Sequence, residues 1–475
     1  MDRTGQMLSL KSRFWNWAPV AMILVGAAIV SFAYWPGIMI DDARWQYQQS
    51  VDNAYEDWHP PLMAWIWRKL MFVHPGPAPM FVLQLALYWS GIGLAAYWAH
   101  RCGRKKLALA IALVGWLPAP FALTGTVTKD CLMAGALLSA TGLLLVRAVV
   151  ETRTSKAAAT LGSIALVFFA AALRLNAVVA CLPILLAALP GKLTSTKFRV
   201  ATAGAACAIA LLAIGPVIDN LLQAERTDVD LSLIIFDLGG ITENSRVNQF
   251  PDLRVRDPVA VNHRCYDPVE WDSYSSWAKK PCPLGFEPFE DAKDEDDLSP
   301  VAIWLDAILH HPLAYAQHRL THFNLSTEFL VPTGPVFTAW SQSVPNPWGY
   351  SIHPNALLTA VTRIADADAH IPLGWPIFWI CLGLAALVAA VSVQAPPIVI
   401  AVAASSALYG LSYLFFGVAV GMRYYFWTIS GAAIAAILVG GELAQRRTPS
   451  TRGVLIPASI VAIPTMLGVL ARAML

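Results

Sequence analysis

Long apolar runs constrain this chain more than any other feature of its sequence. A helix that crosses a bilayer needs about 20 mostly apolar residues, because the hydrocarbon core is about 30 Å thick. This criterion predicts about eleven spanning helices. They centre on residues 18–36, 78–98, 107–123, 131–149, 158–173, 176–190, 200–218, 374–392, 397–416, 424–441 and 454–472. The sequence therefore predicts an all-α polytopic membrane protein.

Composition supports the membrane assignment and excludes one large class of partner. The side chains are 57% hydrophobic and 13% charged, whereas a soluble domain carries about 25% charged residues. The net charge is +2, and no basic run alternates with aromatic residues as in a nucleic-acid groove. The first apolar run follows Lys11 and Arg13 without a small-residue cleavage site, which favours a retained helix over a signal peptide.

The distribution of Lys and Arg predicts the orientation of the helices, because these residues concentrate in cytoplasmic loops. Four short basic connections and the amino terminus fall on one side when the crossings alternate. The connections are Arg101–Lys106, Arg147–Lys156, Lys192–Arg199 and Arg446–Arg452. We expect that side to be the cytoplasm, in a protein that crosses an inner (plasma) membrane several times.

The opposite, periplasmic side then receives two long segments. We predict an N-terminal module of about seven helices at 1–218, with a first extracytoplasmic loop at 37–77. We predict that residues 219–373 form an extracytoplasmic subdomain, because a loop of this length is usually functional or disordered. This subdomain should include a helix near Ser299–Phe323. A C-terminal module of about four helices occupies 374–475.

The first extracytoplasmic loop contains two adjacent acids, Asp41 and Asp42, directly after the first spanning helix. Neighbouring carboxylates repel, so they are expected to bind a cation, accept hydrogen bonds or lose one charge. A carboxylate at this place could also act as a general base. The alternative is a helix start, where first-turn acids are favoured by the macrodipole.

The same loop continues with Asp57 and His59, followed by Pro60 and Pro61. Apolar residues at helical spacing then follow, including Trp65 and Trp67, which is typical of a helix that lies in the membrane interface. The prolines suit the start of such a helix. Asp57 and His59 are therefore predicted to lie beside a lipid headgroup.

Three cations fall at the ends of later apolar runs, on the predicted outer side. Each has a polar neighbour: Lys129 with Asp130, Arg174 with Asn176, and Arg423 with Tyr424. A charge at a helix centre costs about 2.5–3.5 kcal/mol, so such residues usually face a polar cavity, and Arg suits phosphate oxygens. Snorkelling at helix ends is the alternative for all three, and Lys129 could simply pair with Asp130.

Weaker candidates lie in the 219–373 segment. Three of them are polar residues of unassigned role: Asp237, Asp272 and Tyr274. His311, His318 and His322 could share one helical face, and two histidines four residues apart could bind a metal. We favour a half-buried interfacial helix over a metal site. Cys265 and Cys282 could form a disulfide if this segment faces an oxidising compartment. No phosphate-binding glycine loop or nicotinamide fingerprint is present, which disfavours soluble nucleotide donors.

Residues 35–67 resemble the GT-C glycosyltransferase superfamily, and more specifically a bacterial family with a WPG, acidic and DWHPPL pattern. Shorter similarities occur at TVTKD, LRLNA and MRYYFW. The resemblance implies a GT-C-like fold and inverting transfer from a polyprenyl-phosphate sugar, with Asp41 or Asp42 as base. It also implies a divalent cation, Mg or Mn, near the donor phosphate, for which Asp41, Asp42 and His59 are the candidate ligands.

The sequence thus predicts a hexosyl- or pentosyltransferase with a lipid-linked donor and a glycan, lipid or protein acceptor. Lys129, Arg174 and Arg423 would bind the donor phosphate. Their neighbours Asp130, Asn176 and Tyr424, together with Asp57 and His59, are predicted to take part in binding the phosphate or the rest of the substrate. A lipid or solute transporter is one alternative, although it predicts two similar halves and charges in the bilayer centre. An O-antigen-type polymer ligase is another, which would depend on His263–Arg264 or His318–Arg319.

Overall fold

The computed structural model describes residues 3–331, 339–445 and 451–474, with the backbone alone for 3–15 and 451–452. Its α-helices are, in chain order, α1 (Arg3–Tyr34), α2 (Asp41–Asp52), α3 (Leu62–Leu70), α4 (Ala78–Arg101), α5 (Lys105–Val114), α6 (Pro118–Leu123), α7 (Lys129–Arg147), α8 (Arg153–Ala171), α9 (Val178–Ala188), α10 (Lys197–Leu222), α11 (Asp230–Ser245), α12 (Pro258–Cys265), α13 (Phe286–Glu295), α14 (Pro300–His310), α15 (Pro312–Thr327), α16 (Ala356–Asp368), α17 (Pro376–Ser392), α18 (Pro397–Phe416), α19 (Phe426–Leu443) and α20 (Thr451–Met474).

Short 3₁₀ helices occupy Leu175–Ala177, Gly191–Thr194, Trp271–Tyr274, Pro372–Gly374 and Met422–Tyr425. The β-structure of the described residues is confined to isolated bridges, so the predicted all-α architecture is confirmed. The side chains of the Arg446–Arg452 connection, and those of Lys11 and Arg13, lie outside the described residues.

Eight of the described helices are long and apolar enough to cross a membrane, and the chain is a multi-pass membrane protein. They are Asn16–Tyr34, Ala78–Arg101, Lys129–Arg147, Arg153–Ala171, Lys197–Leu222, Pro397–Phe416, Met422–Leu443 and Gly453–Met474. Two further predicted runs form the shorter apolar helices α9 and α17. The predicted run at 107–123 is divided into α5 and α6, because Pro118 has no amide hydrogen with which to continue a helix.

The chain divides into two compact units. The first takes its residues from Met1–Glu225, Phe337–Gly410 and Met422–Met466, and the second from Arg226–Val336, Leu411–Gly421 and Leu467–Leu475. In the first unit α7 is central and almost entirely buried. Gly91 of α4 permits its close approach, since a Cβ there would lie 2.5 Å from the backbone of Leu138. Small residues at such contacts are typical of helices packed within membranes.

A short parallel bridge in the first unit joins the segments that precede α2 and α7. Ile38 donates its amide to Gly125 O at 3.0 Å, and Val127 donates to Ile38 O at 2.9 Å. Buried Gln84 holds the second segment, donating to the carbonyls of Thr124 (2.7 Å) and Thr126 (2.9 Å). The first residues of α2 and α7 are therefore held close together.

The other face of α2 is anchored by aromatic residues. The Tyr47 ring packs against Trp67, Trp348 and Tyr350, with ring centroids 5.1, 4.6 and 5.7 Å away. Tyr47 Oη also accepts a hydrogen bond from the amide of Gly76 at 2.9 Å. These contacts fix the rotation of α2 about its axis, and so decide which of its polar side chains face inward.

The second unit contains α11 to α15. Cys265 and Cys282 are joined by a disulfide with Cα atoms 5.9 Å apart. The single helix predicted near Ser299–Phe323 is two helices, α14 and α15, because Pro312 begins α15 at a position where its missing amide hydrogen does no harm. A buried polar cluster on α11 and α15 forms part of the core of this unit.

Candidate active site

Four helices of the first unit begin at one polar cluster. Most of its residues lie in the first turn of α2 or α7, or in the short segments that lead into α9 and α19, whereas His59 precedes α3 and Trp340 precedes α16. The cluster consists of Asp42, His59, Lys129, Asp130, Arg174, Asn176, Trp340, Arg423 and Tyr424. Helix amino termini carry partial positive charge and unpaired amides, so their convergence favours an anion.

Asp42 is held by Arg423 through two guanidinium nitrogens. Arg423 Nη1 donates to Asp42 Oδ2 at 2.9 Å, and Nη2 donates to Oδ1 at 3.4 Å. Both side chains are partly buried. Burial alone would raise the pKa of Asp42, but the positive charges of Arg423 and Lys129 hold that pKa well below its usual range. Asp42 is therefore ionised at neutral pH.

His59 is paired with a cation. Its Nδ1 lies 2.5 Å from Lys129 Nζ, and because an ammonium can only donate, the imidazole proton must lie on Nε2. Burial and then the charge of Lys129 lower the pKa of His59 to about 3. His59 is thus a neutral side chain at pH 7, with Nε2–H as its donor.

Arg174 is oriented by three neighbours. It donates to Asp130 and, through Nε, to Asn176 Oδ1 at 3.3 Å. The Tyr424 ring contacts two guanidinium groups, with its centroid 5.2 Å from Arg174 Cζ and 5.0 Å from Arg423 Cζ. Tyr424 therefore fixes the spacing of the two arginines through cation–π contacts.

Trp340 closes one edge of the cluster, with its ring centroid 5.9 Å from the Arg423 guanidinium. The segment that carries it is held beside the start of α2. Val344 donates its amide to Met39 O at 2.8 Å, and Ser343 Oγ accepts from the Met39 amide at 3.1 Å. The Trp340 ring and the Arg423 guanidinium therefore lie side by side at this edge of the cluster.

The cluster has an excess of positive charge. Lys129, Arg174 and Arg423 contribute three positive charges and Asp42 and Asp130 two negative ones, while His59 is neutral, so the net charge is +1. In a partly buried site this excess is felt more strongly than in water. The arrangement can bind a phosphodiester, whose single negative charge it would balance.

A divalent cation does not fit these residues. Asp42 faces Arg423 and His59 faces Lys129, so a metal ion bound there would meet two positive groups. The described residues contain no group of three or more His, Cys, Asp or Glu side chains placed to hold a metal. The expected ligands Asp41, Asp42 and His59, as they are placed here, therefore do not fit a Mg or Mn ion.

Two predicted site residues make the following contacts with residues outside the cluster. Asp41 is 74% exposed and pairs with Arg44 at 3.2 Å on the outer face of α2. Asp57 donates its amide to Glu225 O at 3.0 Å, in a bridge that ties the first loop to the end of α10. The acidic pair is thus divided, with only Asp42 placed among the cations.

Comparisons with known proteins gave distant structural similarities. No protein-family model matches the sequence, and no curated protein matches it. One similar structure is the archaeal oligosaccharyltransferase AglB from Archaeoglobus fulgidus in complex with an inhibitory peptide and a dolichol-phosphate, with TM-score 0.38 and 11% identity over 96% of this chain. Another is ArnT from Cupriavidus metallidurans bound to undecaprenyl phosphate, with TM-score 0.33 and 12% identity over 90% of this chain. The chain spans 56% of the AglB chain and 78% of the ArnT chain.

The second unit has a polar cluster of its own, built on Asp237. Arg319 Nε forms an ion pair with Asp237 Oδ1 at 2.7 Å, and His318 Nε2 lies 3.1 Å from the same oxygen. Trp304 Nε1 donates to Asp237 Oδ2 at 2.7 Å. Arg319 Nη1 donates to Gly417 O at 2.6 Å. Asp237, His318 and Arg319 are almost completely buried, so His318–Arg319 is not placed to act as a ligase site.

Sequence reasoning did not single out several residues that shape the first cluster. Gln84, the one amide in the apolar run at 78–98, could have been recognised as a polar residue that needs partners in a membrane. Thr128 could have been recognised as the N-cap of α7, since its Oγ1 accepts from the Cys131 amide at 3.2 Å. Trp340 gave no comparable signal, because its role depends on a contact with Arg423, 83 positions later.

Proposed function

We propose that this chain is a membrane glycosyltransferase that moves a hexosyl or pentosyl group from a polyprenyl-phosphate donor to an extracytoplasmic acceptor. The observation that carries the proposal is the ion pair of Asp42 with Arg423 inside a cluster of net charge +1. The resemblance of residues 35–67 to GT-C glycosyltransferases supports the same reaction.

The donor phosphate would be bound by Lys129, Arg174 and Arg423. Each guanidinium can donate twice to phosphate oxygens, and His59 Nε2–H supplies a further donor. Asp130, Asn176 and Tyr424 keep Arg174 and Arg423 in place. The polyprenyl tail would lie among the apolar helices, and Asp57 would lie at the mouth of the site near the lipid headgroup.

Asp42 would act as the general base. A bound phosphate brings negative charge near Asp42 and competes for Arg423, and both effects raise the proton affinity of the carboxylate. Asp42 then accepts the proton of an acceptor hydroxyl while that oxygen bonds to the anomeric carbon. The bond from the anomeric carbon to the phosphate oxygen breaks, and polyprenyl phosphate leaves with one more negative charge.

The three cations would stabilise the charge that develops on the departing phosphate. Groups fixed in advance around a forming charge lower the barrier because they need no reorganisation during the reaction. A single displacement of this kind inverts the anomeric configuration. The acceptor would be an envelope glycan, lipid or protein on the outer side of a bacterial inner membrane, where the basic-loop distribution puts the first loop.

The test supplies purified protein in vesicles with undecaprenyl phosphate that carries different hexoses or pentoses. We expect release of undecaprenyl phosphate from at least one donor, and loss of that release in Arg423→Gln. The matched control is Arg44→Gln, which removes an arginine of the first loop that pairs with Asp41 outside the cluster. If no donor is turned over, while the protein moves a lipid between leaflets or a solute across the vesicle membrane, the transferase assignment is wrong.

A further inference from the structure

Gln46 is a buried amide that lacks partners. Its side chain is 1% exposed, and neither Nε2 nor Oε1 has a hydrogen-bond partner among the described residues. Gln84 of the same unit is equally buried, but it donates to two carbonyls and lies 3.4 Å from the Thr128 amide. Burying an unpaired amide is costly. Gln84 thus stabilises the fold, whereas Gln46 has an unused donor and an unused acceptor.

Gln46 lies one helical turn after Asp42, on the same face of α2. Residues four apart on a helix are neighbours, and the rotation of α2 is set by the packing of Tyr47 on its far side. Gln49 continues this row. Its Oε1 accepts from the Glu56 amide at 3.4 Å, while its Nε2 has no partner among the described residues. Asp42, Gln46 and Gln49 thus follow one another along α2, and the first of them is paired with Arg423.

We infer that Gln46, with Gln49 beside it, forms the subsite for the sugar of the donor. The inference rests on the proposed function, because it starts from a phosphate held at Arg423. The anomeric carbon is bonded to that phosphate, so the rest of the sugar ring must lie beyond it, and the row along α2 places the Gln46 amide there.

The chemistry of the row selects the class of sugar. An amide offers both a donor and an acceptor, which matches the hydroxyls of a sugar. Beyond Asp42 the buried residues of α2 are Ala43, Gln46, Tyr47, Gln49 and Ser50, none of them charged. A protonated amino sugar or a uronic acid that lies beyond Asp42 would meet no opposite charge among these residues. The substrate is therefore a neutral hexose or pentose.

The test compares Gln46→Met with Gln48→Met. Methionine keeps the length of the side chain and removes its amide, and Gln48 is a partly exposed residue of the same helix whose bond is to Asp52. The probes are undecaprenyl phosphate carrying neutral hexoses, pentoses or an amino sugar, monodeoxy analogues of the best donor, and sugar-free undecaprenyl phosphate.

We expect Gln46→Met to lower kcat/KM for the best neutral donor about 10- to 100-fold, the effect of losing one or two hydrogen bonds. With the deoxy analogue that lacks the contacted hydroxyl, Gln46→Met and the parent should differ by less than about threefold. Gln48→Met should match the parent on both donors. Gln46→Met should still bind sugar-free undecaprenyl phosphate as the parent does.

Two results would overturn the subsite. If Gln46→Met turns over every donor like the parent and unfolds at a higher temperature, Gln46 is a structural amide, while the transferase assignment survives. If the parent prefers the amino-sugar donor, the class of sugar is wrong. Should Gln46→Met fail to fold, Gln46→Glu replaces it, and equal kcat/KM in that variant overturns the subsite. If the parent neither binds undecaprenyl phosphate nor releases it from any donor, the proposed function itself fails.

Discussion

The two units each contain an Asp, a His and an Arg in close contact, but the two clusters differ in exposure and in charge. In the second unit Asp237, His318 and Arg319 are almost completely buried, and one acid balances one arginine around a neutral histidine. In the first unit Asp42, His59 and Arg423 are partly exposed, and Lys129 and Arg174 leave an excess of one positive charge.

This difference separates a structural role from a chemical one. A buried and charge-balanced network can specify the packing of helices, and it has no surplus charge for an ion to balance. A partly open cluster with surplus positive charge is stabilised by an incoming anion, because the like charges of its cations repel one another until the anion arrives. Residue types alone would have suggested the same role for both clusters.

The largest expected effect is on catalysis by the first cluster. Asp42→Asn keeps the shape of the side chain but removes its proton affinity, and loss of a general base lowers kcat about 100- to 10,000-fold. Asp41→Asn is the matched control, with an expected change of about twofold or less, as is typical of an exposed ion pair. Initial rates of undecaprenyl phosphate release measure both. Equal losses in the two variants would show that Asp41 and Asp42 share one role, which would contradict the assignment of Asp42 alone as the base.

The next effect is on the stability of the second cluster. Asp237→Asn leaves Arg319 buried without its negative partner, which should destabilise the second unit by about 3–5 kcal/mol. Replacing the pair together, as Asp237→Leu with Arg319→Met, should recover most of this loss because no charge is then left unpaired. Thermal unfolding in detergent measures both variants. If the double variant is no more stable than Asp237→Asn, the cluster does more than balance charge.

The smallest effect is a dependence on pH. Burial lowers the pKa of His318, and it lowers the pKa of His322 to about 4. Below about pH 6.5 the unfolded chain takes up protons on these side chains, while the folded unit stays unprotonated until its lower pKa values are reached. Stability of the second unit should therefore fall as the pH drops from about 6.5 towards about 4.

The measurement is the unfolding midpoint at several pH values in this window, for the parent, His322→Gln and His310→Gln. The unfolding midpoint of His322→Gln should decline less steeply with falling pH than that of the parent. His310 is exposed, so His310→Gln should decline as steeply as the parent. In the first cluster His59 remains neutral over the same range because its pKa is about 3. A steeper decline in His322→Gln than in the parent would contradict the assignment of this histidine as a buried neutral side chain.

Much of the architecture was predictable because it depends on local properties. Eight of the predicted runs appear as helices long enough to span a membrane, and α3 begins after Pro61 as expected for an interfacial helix. The exceptions have identifiable causes: Pro118 divides one run, and Pro312 divides a helix of the second unit. Apolar length shows that a segment is buried in lipid or protein, but it does not by itself distinguish a complete span from a shorter packed helix.

The site was predictable in its members and only partly in its geometry. Lys129, Arg174 and Arg423 were recognisable as charges in apolar surroundings, which are too costly to keep without a polar partner. Their actual partners are His59, Asp130 and Asp42. Of these contacts, Arg423 with Asp42 joins residues 381 positions apart, and no pattern within a single sequence measures such a distance.

The sequence by itself determined that this chain lies in a membrane as a set of helices, and that acids and cations gather at the starts of those helices. Hydrophobic length and charge are properties of short segments, and solvent acts on each segment separately. Only the tertiary structure decided that Asp42 faces the cations while Asp41 faces outward, and that His318 and Arg319 are buried with Asp237. Adjacent residues on a helix point about 100° apart, so the packing that sets the rotation of each helix also sets which side chains can meet.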